Sequence, residues 1–273
     1  MWNCTSGRSG EFMLNAVFFV ICFGASAVGI ISGTGGGVII KPVLDALDIL
    51  DIGIINFLSG CTVFSMTAYS VISGKMKGES NVNKKIGFPL AIGAAFGGLI
   101  GRWLFSCLSQ RCMEKDRLGA IQSLLLFLIT LGILVYTVHK EKIKTYRIEH
   151  PGISSLIGMS LGMLSSFLGI GGGPVNLMIL CFFFSMSSKE AAENSLYIIF
   201  FSQAASLISY MATGNIPDFS SGLLILMVIG ALSGGIFGRN LNDIIKDKTV
   251  DGIFIGLLVV ILLINAHNVV KFM

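Results

Sequence analysis

Charge is what this chain has least of. Only 12% of its 273 residues are Asp, Glu, Lys or Arg, 53% are hydrophobic, and the mean hydropathy is +0.83. A globular chain carries about a quarter charged residues, so an ordinary soluble domain is excluded and an all-α polytopic membrane protein is expected. The net charge of +4 is spread over loops without a continuous basic patch, and nucleic acid is not an implied partner. Histidine occurs three times, no CxxC is present, and the six cysteines fall mostly inside apolar runs, where cysteine behaves as a small hydrophobe. Neither a metal nor a cofactor is expected. His, Asp, Cys and Ser nowhere converge as a catalytic set would require, which argues against an enzyme.

Long apolar runs are abundant instead. A hydrocarbon core about 30 Å thick takes about 20 apolar residues per helical crossing. Eight runs meet that test: Met13 to Ile31, Ile54 to Ser73, Ile86 to Leu108, Leu118 to Val138, Ile153 to Leu168, Asn194 to Thr213, Ser221 to Phe237 and Gly252 to Val270. Val38 to Leu47 and Val175 to Met186 are shorter. Residues 1–12 lack a signal-peptide pattern and are expected to be an N-terminal tail.

The chain also repeats itself. Ile92 to Leu104 (IGAAFGGLIGRWL) and Ile229 to Leu241 (IGALSGGIFGRNL) are identical at eight of thirteen positions with an offset of 137. A glycine motif, GTGGG at Gly33 to Gly37, returns as GIGGG at Gly169 to Gly173 with an offset of 136. Two homologous repeats follow, 13–148 and 149–273, each with about four transmembrane helices plus a short glycine-broken or re-entrant helix. If both short runs cross, Lys75 to Lys85, Lys140 to Arg147, Lys189 and Arg239 to Lys248 share one side, twelve basic residues against six; if neither crosses, the split is ten against eight. The positive-inside rule favours the first arrangement, and with it inverted repeats. Against it stand the shortness of the runs and the charges of Lys41, Asp45 and Asp48 in the first.

The two glycine motifs are the expected site. Glycine costs about 1 kcal/mol in a helix interior relative to alanine, so four in five positions break the helix. Freed N–H groups in hydrocarbon must be buried in protein or line a watery cavity, and breaks at matching positions of two halves point to a substrate site. Close helix packing is the alternative. The helix after each break presents N–H groups and a positive dipole end to an anion. Candidate substrate-binding residues are therefore Gly33, Thr34, Gly35, Gly36, Gly37, Gly169, Gly171, Gly172, Gly173 and Asn176. Lys41 is a further candidate, although Asp45 four residues on can neutralise it. Asn56, Asn194 and Gln203 lie in apolar runs whose middles hold amides and hydroxyls but no carboxylate; they either line a path or join helices. Gly93, Gly97 and Gly101, like Gly230, Gly234 and Gly238, form one helix face suited to internal packing or to a homodimer. Arg102 and Arg239 end their runs, where an arginine snorkels or caps the helix; attracting an anion is the alternative role.

With these residues in view, the chain resembles the TauE/SafE family of sulfite exporter-like membrane transporters. The likeness rests on GTGGGVIIKPVL at Gly33 to Leu44, GIGGGPVNLMIL at Gly169 to Leu180, and the GGLIGR and GGIFGR segments ending at Arg102 and Arg239. It implies an integral protein of the bacterial inner membrane that carries a small anion, such as sulfite or an organosulfonate, mostly outwards by alternating access. The family's proline five residues past the last motif glycine is matched by Pro42, but Met178 stands at the second position, after Pro174 directly behind the glycines. A potential negative inside favours outward movement of a monovalent anion by about 2.3 kcal/mol per 100 mV, so uncoupled export suffices. The rival expectations are proton-coupled uptake of a small anion and a non-transporting sensor or assembly partner.

Overall fold

The structure, a computed structural model, describes residues 8–77, 84–111, 115–214, 216–242 and 244–272. Cys4, Cys112 and most of the expected N-terminal tail lie outside them. Among the described residues ten α-helices follow one another: α1 (Arg8–Ser32), α2 (Gly37–Leu47), α3 (Ile52–Lys77), α4 (Lys84–Arg111), α5 (Lys115–His139), α6 (Pro151–Leu168), α7 (Gly173–Phe184), α8 (Ser188–Thr213), α9 (Ser221–Asn242) and α10 (Asp247–Phe272). Eight are long and apolar enough to cross a membrane, and they coincide with the eight long runs. The chain is an all-α polytopic membrane protein. At 1.5 Å per residue, α2 and α7 are about 17 and 18 Å long, roughly half a bilayer core. Helix α1 starts at Arg8, inside the stretch expected as a tail.

Polar groups face inwards and apolar ones outwards, because the bilayer is the solvent. Met13, Phe96, Trp103, Leu128 and Leu263 are exposed, whereas Ser26, Asn56, Ser59, Thr62, Gln203 and Asn268 are buried. Many of the buried hydroxyls return to their own helix, as Thr62 Oγ1 does to Leu58 O at 2.7 Å, which satisfies them without a neighbour.

The glycine faces set the closest contacts. A methyl on Gly97 would come within 2.8 Å of the Met159 carbonyl carbon, and one on Gly234 within 2.8 Å of that of Phe23. Gly93, Gly97 and Gly101 meet Ser155, Met159 and Met163 in rising order, so α4 and α6 run parallel with touching backbones. Gly230, Gly234 and Gly238 meet Phe19, Phe23 and Ala27, so α9 lies parallel to α1 in the same way. These faces are used inside the chain, and a homodimer would need another surface.

Helix directions elsewhere are fixed by side chains. Phe57 meets Tyr210 and Phe64 stacks on Phe200, so α3 and α8 are antiparallel. Lys140, just past the end of α5, bonds Asp251 near the start of α10 at 2.6 Å, so these two are antiparallel as well. Between α1 and α2 the chain doubles back, with Gly35 N donating to Gly29 O at 3.2 Å. The end of α2 is capped by α10: Lys271 Nζ donates to Ala46 O at 3.1 Å, and Asn268 Nδ2 to Pro42 O at 2.9 Å. The lysine thereby meets a carbonyl that the last turn leaves open, and the amide adds a second bond one turn earlier.

Candidate functional site

The two breaks meet in the middle of the bundle. Gly37 abuts Ile170, Gly173 abuts Val38, and Val63 of α3 and Ile199 of α8 close in from the sides. Gly172 has φ +114, a conformation open to glycine and strained for other residues; a side chain there would also come within 2.7 Å of Ile199 Cγ1 and Asn176 Nδ2. Helices α2 and α7 therefore begin near one another, with their positive dipole ends at the core of the protein.

Most of the expected glycines are packed against protein. Gly33 lies on Ala192, Gly35 beside Val63 and Ile199, Gly36 on Ala25 and Ser26, and Gly171 within 2.8 Å of Val63 Cγ1 for an added methyl. Thr34 Oγ1 shares a hydrogen bond with Ser32 Oγ at 2.9 Å. Lys41 Nζ donates to Asp45 Oδ2 at 2.6 Å, both side chains buried, so this pair neutralises itself. Asn194 Nδ2 donates to Glu190 O at 2.8 Å. Asn176 is buried beside Gly172.

Asn56, Gly169 and Gln203, by contrast, come together on one small cavity with Gly60, Arg102, Phe105, Ser166, Ser206, Leu207 and Tyr210. Helices α3, α4, α6 and α8 each contribute. Asn56 is 6% exposed, and neither its Oδ1 nor its Nδ2 has a hydrogen-bond partner. Such a group costs about 1–3 kcal/mol to leave unmet. Ser166 and Ser206 share a hydrogen bond at 2.6 Å.

Arg102 is the residue that sequence reasoning misplaced. Helix α4 continues to Arg111, so Arg102 lies more than two turns inside it and neither snorkels nor caps. It is 9% exposed, its guanidinium carbon is 3.5 Å from the Tyr210 ring centroid and 5.4 Å from that of Phe105, and among the described residues no carboxylate pairs with it. A charge inside an apolar run is by default a functional candidate, and that signal was present. Arg239 is buried too, but its Nη1 donates to Ser70 O at 3.1 Å and Ser70 Oγ at 3.3 Å.

A cavity walled, among the described residues, by one cation without a carboxylate, two amides and three hydroxyls is an arrangement of donors suited to an anion. Among the described residues no group of three or more His, Cys, Asp or Glu side chains could hold a metal ion. The fold defines a polytopic membrane protein, and this cavity fits a transporter of that class. The family model described as "Sulfite exporter TauE/SafE" matches residues 18–264, and the chain belongs to that family; it is a transporter for a small anion and not an enzyme. It is similar to the probable membrane transporter protein YunE of Bacillus subtilis, 24% identical over 253 residues covering 83% of this chain and 88% of the relative. The probable membrane transporter protein MJ0441 of Methanocaldococcus jannaschii is 26% identical over 253 residues, 87% of this chain and 90% of the relative. The probable membrane transporter protein MamO of Magnetospirillum gryphiswaldense is 30% identical over 111 residues, 39% of this chain and 18% of that protein. No solved structure matches the chain significantly.

Proposed function

We propose that this protein exports a small sulfur-containing anion, sulfite or an organosulfonate, across a bacterial inner membrane by alternating access. The observation that carries the reading is Arg102: a buried guanidinium without a carboxylate, facing a cavity beside the unmet amide of Asn56. A buried cation is costly until an anion completes it, and a sulfur oxyanion presents paired oxygens to a guanidinium fork. Asn56, Gln203 and Gly169 take the rest of the anion's surface. Of the remaining expected residues, Gly33 to Gly37, Gly171 to Gly173, Asn176 and Asn194 act through the breaks, which bring two positive helix ends beside the cavity, whereas Lys41 is neutralised by Asp45.

The repeats 13–148 and 149–273 are inverted in this reading. Support comes from the antiparallel run of α3 against its counterpart α8 and of α5 against α10. Eight crossings alone would make both pairs parallel, whereas a crossing by α7 makes them antiparallel; with α7 crossing, the parallel run of α1 and α9 requires α2 to reverse the chain as well. The cross-packing of α1 on α9 and α6 on α4 is what exchange of the two halves would produce. With the basic loops cytoplasmic, the space outside Arg102, lined by Gly53, Ser109 and Pro217, opens away from them. The state seen is then occluded beneath an outward vestibule, and the membrane potential drives release once it opens.

The test is thermal unfolding of the purified protein with sulfite, sulfoacetate, taurine or chloride. A ligand at one hundred times its Kd stabilises by about 2.7 kcal/mol. Stabilisation by a sulfur anion, lost in Arg102→Met, supports the reading; the same shift in that variant, or no shift with any sulfur anion, removes it.

A further inference from the structure

The inner cavity is separated from the space outside by three side chains. Gly53, Ser106, Ser109 and Pro217 line an outer vestibule, and Arg102, Phe105 and Tyr210 line both it and the inner cavity. What closes the cavity on this face is two aromatic rings and a guanidinium.

Arg239, which stands at the matching place of the second glycine face, is held differently, by hydrogen bonds to Ser70 O and Oγ at 3.1 and 3.3 Å. The contacts of Arg102 within the described residues are ring faces, Tyr210 at 3.5 Å and Phe105 at 5.4 Å. A guanidinium stacked on a ring keeps its N–H groups in its own plane, so they point past the ring edge. Stacking also lets two planes part without stranding a hydrogen-bonded partner. The Tyr210 ring is itself held edge-on by Phe57 at 5.0 Å, which in turn lies 5.0 Å from Phe219. An aromatic row thus holds the ring in place.

We infer that Tyr210 is the positioning and gating residue of this site. Its ring holds the Arg102 guanidinium so that the donor edge meets an anion in the inner cavity, and with Phe105 it shuts that cavity from the vestibule. The assignment rests on the proposed anion site for its positioning half and on the two adjoining spaces alone for its gating half.

The gating half is tested on full-length protein whose six native cysteines are replaced and which carries Ser206→Cys on the inner cavity wall. The readout is the rate of modification by a charged methanethiosulfonate in detergent. Tyr210→Ala is expected to raise that rate about tenfold or more, a barrier change of about 1.4 kcal/mol, and Tyr210→Phe to leave it at the parent value. Equal rates in all three proteins, or Phe behaving as Ala, would overturn the gate. Should Tyr210→Ala not elute as a folded species, Tyr210→Leu, which keeps the bulk without the ring, replaces it.

The positioning half is read from sulfite flux in proteoliposomes. Loss of the ring raises KM at least about tenfold with Phe restoring it, and an unchanged KM in both variants overturns positioning. A parent protein that moves no anion would sink the proposed function while the accessibility result still decides the gate.

Discussion

The guanidinium of Arg102 lies 3.5 Å from the centre of the Tyr210 ring, on the wall of a cavity that also holds the side chains of Asn56 and Gln203. One buried positive charge is thus held by an aromatic face rather than by a carboxylate, with neutral donors around it. That arrangement leaves the charge for a visitor. A carboxylate partner would have satisfied the arginine and closed the site.

Asn56 is costly to the empty protein. Both its polar side-chain atoms are buried without partners, so Asn56→Leu should leave the unfolding temperature unchanged or raise it. Anion affinity should fall by about 1–3 kcal/mol, the worth of a met buried donor. Calorimetric unfolding with and without sulfite reads both, and a fall in stability with unaltered affinity would contradict the assignment.

The α4–α6 contact leaves no room for a side chain. Gly97→Leu would push against the Met159 backbone, 2.8 Å away already for a methyl, and overpacking against side chains costs about 1–3 kcal/mol. Backbone yields less than a side chain, so the loss of stability in detergent should reach the top of that range. Gly132, in the interior of α5 with nothing within 4 Å of an added methyl, is the control: Gly132→Ala should leave the melting temperature unchanged or raise it.

Lys41 and Asp45 form a closed pair at 2.6 Å. Lys41→Met alone should destabilise by about 3–5 kcal/mol, because a buried carboxylate is left behind. The double variant Lys41→Met, Asp45→Leu should recover most of it and still transport. Transport lost in a well-folded double variant would mean that the pair takes part in substrate or proton movement.

Topology can be decided with two single cysteines. His150 precedes α6 and Asp218 lies between α8 and α9, so three helices separate them if α7 crosses and two if it does not. Both positions are placed in a chain freed of its native cysteines and labelled with a membrane-impermeant maleimide in intact cells. Inverted repeats predict labelling of Asp218→Cys and protection of His150→Cys until the cells are opened. Equal labelling of both would rule the inversion out.

The eight spans were legible because each is a run of about 20 apolar residues, and the breaks because glycine cannot be hidden in a helix. Helix directions were legible only through the loop charges: hydropathy does not say whether α7 turns back, and the Phe57–Tyr210 and Phe64–Phe200 contacts orient α3 against α8 independently of it. The glycine faces announced close packing, but their partners, α6 for α4 and α1 for α9, depend on tertiary arrangement. At the site, Asn56 and Gln203 stood out as amides in apolar runs. Arg102 was read as an end residue because the apolar run fades soon after it, whereas α4 runs on to Arg111. Tyr210 carried no signal, since an aromatic near a span end is commonplace in membrane helices.

The most direct measurement is sulfite efflux from proteoliposomes with the voltage set by potassium and valinomycin, comparing the parent protein with Arg102→Met. The account predicts efflux that follows voltage, ignores an imposed pH gradient, and falls more than about tenfold in the variant, the consequence of losing a charged partner worth at least about 2 kcal/mol. Equal efflux from a folded Arg102→Met protein would contradict the account, because the cavity around Arg102 would then not be the anion's path.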